Sequence, residues 1–233
     1  DESPVLHVRR ALVDRWLADS GQPNLREIEA RIDATQQPHS FAIPDLSVAG
    51  RVTIERKRLT LQNVVGSLAG RGSLRDEIVI VGAHYDHLGT GGGASLAPWT
   101  VAIHNGADDN GSGSAGLLEV ARQVAARQGE SSRRILFVAF SAEEMGLIGS
   151  ERFITASPVP LRDVVAMVNL DMIGRLRTER LIVSGTGTAR SFKELVQKHG
   201  ARQHFRLRLD PSGFGPSDHA SFANADVPVL FVH

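Results

Sequence analysis

The sequence predicts an α/β fold with a mainly parallel (mixed) central sheet sandwiched by helices. Three observations carry this. From residue 77 onward, short apolar runs alternate with amphipathic stretches, the pattern of strand–helix–strand units. The runs at 78–82, 134–140 and 164–170 are nearly continuous in apolar residues, as strands buried on both faces are. Finally, His84, Glu143, Glu144 and Asp171 all come directly after such runs, and in folds of this class ligands bind at the carboxyl ends of the strands.

Taken in order, residues 1–40 read as an irregular lead-in with two helices. Val8, Leu12 and Trp16 recur four apart, with Gly21 as a stop. Asn24 is a candidate N-cap with Glu27 three residues on, and Pro38 ends the second helix. Residues 48–68 turn β in pattern. Val52 and Ile54 lie among Arg and Lys, as on a solvated edge strand, and 63–68 supply a second strand. The charged residues Arg56, Lys57 and Arg58 read as that solvated edge rather than as a nucleic-acid patch. Strand 78–82 leads to a Gly-rich loop at 89–93, then a helix over 112–127 with Leu117, Val120, Ala121 and Val124 on one side. Strand 134–140 precedes the Glu pair and a short helix at 147–154. Strands at 164–170, 181–183 and 229–232, with helices at 189–199 and 217–224, complete the pattern. The domain reading is a helical lead-in at 1–45, packing on a larger α/β domain at 46–233.

A chain of 233 residues that is 42% hydrophobic suits a packed globule. A net charge of zero gives no support to a nucleic-acid or membrane-surface role. The absence of cysteine excludes disulfides and thiolate ligands without fixing a compartment. No apolar run approaches the roughly 20 residues of a membrane span. The chain opens on Asp1 rather than Met and stops at His233, one residue past a core-strand pattern. The expectation is therefore a processed or cut chain lacking a natural C-terminal part.

His84, Asp108, Glu144 and Asp171 are imidazole and carboxylate donors of the kind that suit zinc, and also manganese or cobalt. A carboxylate can bridge two ions about 3.5–4 Å apart, and a water held between them is a strong nucleophile near neutral pH. Such a site needs a base outside the ligand set. Adjacent Glu143 and Glu144 meet that need if they point to opposite sides of an extended chain, one ligating and the other moving the proton. A ligating His has its second ring nitrogen held by a carboxylate, and Asp86 sits two residues after His84, on the same side of an extended segment.

Five motifs in order resemble the co-catalytic zinc aminopeptidases of the bacterial leucyl aminopeptidase and aminopeptidase Y family. They are 82–89 (GAHYDHLG), 105–113 (NGADDNGSG), 139–146 (AFSAEEMG), 169–172 (NLDM) and 217–219 (SDH). The resemblance runs from about residue 60 to the end and implies a zinc-exopeptidase (phosphorylase/hydrolase-like) fold. It implies that His84 and Asp171 ligate one zinc, Asp108 bridges two, Glu144 ligates the other, Glu143 is the general base and Asp86 orients His84. It further implies a cis peptide at Asp108–Asp109. The family's second zinc takes a terminal His from a segment after the last core strand. That segment is not in this sequence, and the role is not carried onto His233. Asp218 and His219 match a motif near the substrate pocket and are not read as ligands.

The implied activity is that of a metal-dependent exopeptidase, an aminopeptidase acting on peptides with a free N-terminus, in a secreted or periplasmic setting. The same fold also serves carboxypeptidases, glutaminyl-cyclase-like acyl transferases and non-catalytic receptor ectodomains; retention of His84, Asp108, Glu143, Glu144 and Asp171 favours the dinuclear enzyme. His87 and His104 read as solvated loop histidines. The 89–93 loop has no Gly-Lys-Ser/Thr after it and reads as a flexible rim of the site. Trp99 is assigned to packing or to the pocket wall.

Overall fold

The computed structural model describes residues 7–44, 46–51, 53–55, 58–93, 95–127, 133–176 and 178–233. It divides into two compact units, Asp1–Arg58 and Leu59–His233.

The N-terminal unit contains α1 (Arg10–Asp19) and α2 (Leu25–Thr35). Gly21, at φ +67, lies just past the last turn of α1 and donates its N–H to the Ala18 carbonyl. Asn24 and Glu27 form a reciprocal capping box at the start of α2. That helix ends at Thr35 through Gln36 in the left-handed region, before Pro38 is reached. Arg10 pairs with Glu29 through both guanidinium nitrogens and ties the two helices together. The expected edge strand around Ile54 is not formed among the described residues of 46–62; Val52, Arg56 and Lys57 lie outside them.

The second unit is built on a seven-stranded sheet, counted among the described residues. Its strands are β1 (Val64–Leu68), β2 (Ile78–His84), β3 (Arg134–Phe140), β4 (Val164–Leu170), β5 (Arg180–Ser184), β6 (Arg206–Leu209) and β7 (Val229–Val232), in the order β1-β3-β2-β4-β7-β5-β6. The centre is parallel: β2 pairs with β3 and β4, and β4 with β7. Strand β1 runs antiparallel to β3 at one edge, and β5 antiparallel to β7. Strand β6 has no counterpart in the sequence reading. Its alternation, Arg-Leu-Arg-Leu, covers only four residues, too short for periodicity to separate from a loop.

Ile78, Ile80, Leu136, Val138, Phe140, Val164, Met167 and Val229 form the main core, with Phe153 and Phe222 from α4 (Ile148–Thr155) and α6 (His219–Ala223) closing over Phe140. Helices α3 (Gly113–Ala126) and α5 (Phe192–Arg202) supply further cover. Register places the C-terminal ends of the parallel strands together. His84 is opposite Phe140, and Leu170 is opposite Val232. The residues just beyond those ends are Tyr85, Ser141, Asp171 and His233.

Candidate metal centre

His84 ends β2 with its side chain 1% exposed. Its Nε2 lies 3.3 Å from Asp109 Oδ1, 3.4 Å from Asp171 Oδ1 and 3.9 Å from Glu143 Oε2. The contacts are within ion-pair reach, yet neither His84 Nε2 nor Asp171 Oδ1 has a partner in hydrogen-bond geometry. Three carboxylates thus face one ring nitrogen that can offer at most one proton. Burial works to lower the His84 pKa, but Asp171 and the charges of Glu143 and Asp218 outweigh it and hold it up at about 9.

Each member is positioned by identifiable contacts. The Nδ1 of His84 faces the Asp86 backbone carbonyl at 3.2 Å, with the Asp86 carboxylate farther off at 3.7 Å. Asp86 therefore orients the ring mainly through its main chain. Its carboxylate instead accepts the backbone N–H groups of Glu143 (3.1 Å) and Glu144 (3.3 Å). The two glutamates sit in a turn, not on an extended strand. Ala142 is left-handed at φ +56, and this turn, rather than strand alternation, sends the carboxylates to different places. Asn63 fixes the turn from β1's side, accepting from Ser141 N–H and donating to the Gly149 carbonyl.

Asp108 does not join the cluster. Its Oδ1 accepts from Gly174 N–H at 2.8 Å and from Ser112 Oγ at 3.1 Å, and Oδ2 lies 3.1 Å from Arg175 Nε, an ion-pair distance without hydrogen-bond geometry. Asp109 stands in the expected place. The chain bends here, with Asp109 at φ −103, ψ 94 and Asn110 at φ −129, ψ 42 inside an otherwise wide helical turn that leads into α3. The cis peptide also falls one residue later than expected, at Asp109–Asn110. Asn110 anchors the bend: its amide donates to the Leu170 carbonyl and accepts from Gly113 and Met172 N–H groups. Ser114 Oγ donates to the His84 carbonyl. The turn is thereby tied to both β2 and β4, and a side chain at 109 is carried into the space between them. Nothing in residue type separates Asp108 from Asp109, so the sequence held no signal for the choice.

Glu144 lies apart from His84. Its Oε1 accepts a 2.6 Å hydrogen bond from His87 Nδ1, so His87 is not a solvated loop residue. Donor atoms of His87, Asp109 and Glu144 all come within 4.8 Å of one another, as do those of His84, Glu143 and Asp171. Asp109 is close to both groups. Burial pushes Glu143 up to about 8, and burial with the Asp171 charge raises Asp109. Buried nitrogen and oxygen atoms of ligand type, crowded together and some without hydrogen-bond partners, fit a divalent metal of the zinc, manganese or cobalt kind.

Around the cluster, Asp218 and His219 are fully buried. His219 stacks on Phe231 at 4.2 Å between centroids, and Phe231 stacks in turn on His233 at 4.4 Å. Burial pushes Asp218 up to about 6 and His219 down to about 4. A cavity of about 340 Å³ opens beside Glu144 and His87, lined also by Leu61, Gly91, Gly93 and Met145, so the glycine loop does reach the site. Trp99 is exposed and neither packs nor lines this cavity. A larger groove of about 650 Å³ in the N-terminal unit, against Leu12 and Trp16, has no carboxylate among the described residues of its wall.

Residues 63–233 match Peptidase family M28. The chain belongs to this family. Among curated relatives of this M28 chain, Aminopeptidase YwaD of Bacillus subtilis is 36% identical over 171 residues, covering 72% of this chain and 34% of the relative. A probable leucine aminopeptidase of Arthroderma otae is 32% identical over 164 residues, covering 68% and 43%. Among solved structures, the Bacillus subtilis zinc aminopeptidase BSAP is similar at a TM-score of 0.57 and 30% identity, over 73% of this chain and 39% of that one. A Porphyromonas gingivalis glutaminyl cyclase matches at a TM-score of 0.58 with 22% identity, a likeness of fold alone. The M28 chain spans less than half the length of the curated relatives described here.

Proposed function

We propose that this M28 chain carries the catalytic centre of a metal-dependent aminopeptidase that hydrolyses the N-terminal bond of peptides. The observation that supports it best is the division of labour across the Glu143–Glu144 turn. Glu143 lies beside His84 and Asp171, whereas Glu144 lies with His87.

In this reading His84, Asp171 and Asp109 would hold one divalent cation, and Asp109 and Glu144 would hold a second. Bound there, zinc supplies Lewis acidity toward a peptide carbonyl and lowers the pKa of water near it. Glu143 takes the proton from the attacking water and returns it to the leaving amine. Asp86 keeps Glu143 in register with His84 through the backbone N–H it accepts. The reading takes a free α-amine as the substrate feature and a secreted or periplasmic setting, the latter supported by family resemblance only. Among the described residues no helix is long and apolar enough to cross a membrane.

Glu143→Gln tests it. Zinc content should stay as in the wild type while hydrolysis of leucine anilides falls by at least about 10²–10⁴-fold. Full activity in the variant would remove Glu143 from the chemistry. Equal hydrolysis of N-acetylated substrates would remove the aminopeptidase assignment.

A further inference from the structure

The motifs that carry the family resemblance give His87 no role, yet it makes the hydrogen bond that the described residues supply to the Glu144 carboxylate. Two arrangements would account for its nearness. His87 could itself ligate the second cation, or it could hold Glu144 for that cation. Separation decides between them. Donors on one tetrahedral zinc at about 2.0–2.2 Å stand about 3.3–3.6 Å apart. His84 Nε2 meets this with Asp109 at 3.3 Å and Asp171 at 3.4 Å. The 2.6 Å between His87 Nδ1 and Glu144 Oε1 is too short for two donors on one ion and is the separation of a short hydrogen bond to a carboxylate, next to the roughly 2.7–2.9 Å of charge-assisted N–H···O⁻ bonds.

The ring is also seated by the backbone. Gly106 is left-handed at φ +61, and a Cβ there would come within 2.8 Å of His87 Cγ and 2.8 Å of the Asp109 carbonyl. His87 therefore rests on the same turn that delivers Asp109. Asp86 fixes the main chain of Glu144, but a Glu side chain keeps three torsions free. His87 restrains the end of that side chain.

We propose that His87 is a positioning residue for the second metal: by donating its Nδ1–H to Oε1 it fixes Glu144 within reach of Asp109, and it does not ligate. This rests on the two-cation reading above. The test is zinc affinity at each site by chelator competition, with cobalt(II) visible spectra, on the wild-type chain, His87→Ala and His87→Gln. For His87→Ala the second affinity should fall about 10–100-fold, with the first unchanged as the control for folding. His87→Gln, whose amide can donate to the same oxygen, should recover most of the loss and keep the cobalt spectrum of the wild type. Wild-type affinity for both ions in His87→Ala would overturn the proposal. So would a His87→Gln protein as weak as the alanine variant with an altered cobalt spectrum, which would make His87 a ligand. A wild-type chain that binds no metal would instead count against the metallopeptidase reading itself.

Discussion

Asp109 Oδ1 stands 3.3 Å from His84 Nε2, while the neighbouring Asp108 carboxylate accepts from Gly174 N–H and turns toward Arg175. Two chemically identical neighbours thus do separate jobs. Asp109→Asn should lose metal at both positions and lose activity with it. Asp108→Ala should keep its metal and lose the exposed bond to the Gly174 N–H, costing about 0.5–1.5 kcal/mol. Metal content and urea unfolding of both variants check this; equal metal loss in the two would contradict the division.

Asn110 uses both ends of its amide to tie the Asp109 turn to Leu170, Met172 and Gly113. Asn110→Ala removes all three side-chain bonds at a site where Asn110 is 2% exposed, leaving the Gly113 N–H only its bond to the Asn110 carbonyl. The expected cost is about 3 kcal/mol, together with weaker metal binding because Asp109 and Asp171 lose their common anchor. Thermal unfolding with and without zinc would reveal both effects.

Gly149 opens α4 against the turn that carries the glutamates. A Cβ there would collide with the Ser141 carbonyl and approach Asn63 Oδ1 at 2.6 Å. Since the first obstacle is backbone, it cannot rotate away. Gly149→Ala should destabilise by roughly 2–4 kcal/mol and reduce activity through displacement of Glu143. A variant as stable as the wild type would show that the turn can shift freely.

His219 is neutral in the fold because burial pushes its pKa down to about 4, against about 6.5 when unfolded. Between those values the unfolded chain binds the extra proton. The contribution is therefore present above pH 6.5 and is lost as pH falls toward 4. Asp218, raised to about 6, acts in the opposite sense, so the test compares the wild type with His219→Gln, in which Asp218 is common. The stability of wild type relative to the variant should drop by about 2 kcal/mol from pH 7 to pH 5. A difference that is flat with pH would mean that His219 is not buried neutral.

Removal of metal leaves the charges around His84 uncompensated. Zinc added at about 100 times its Kd should stabilise the chain by about 2.7 kcal/mol, and chelation should reverse it. An unchanged melting temperature would exclude a metal held by the folded state.

The sequence alone determined the sheet class, the positions of β2, β3, β4 and β7, and the fact that His84, the glutamate pair and Asp171 emerge at the carboxyl ends of the central strands. Buried parallel strands are written as apolar runs, and the residues at the end of each run must emerge on the same side of the sheet. The capping box of Asn24 and Glu27 was equally legible, since its chemistry is local. Tertiary structure alone decided which of Asp108 and Asp109 enters the site, that Asp86 holds His84 by its carbonyl, and that His87 serves Glu144. Those outcomes depend on a bend fixed by Asn110 to residues some 60 positions away and on backbone seats such as Gly106. Hydrogen bonds between distant segments leave no periodicity in a chain, so no reading of neighbours could have recovered them.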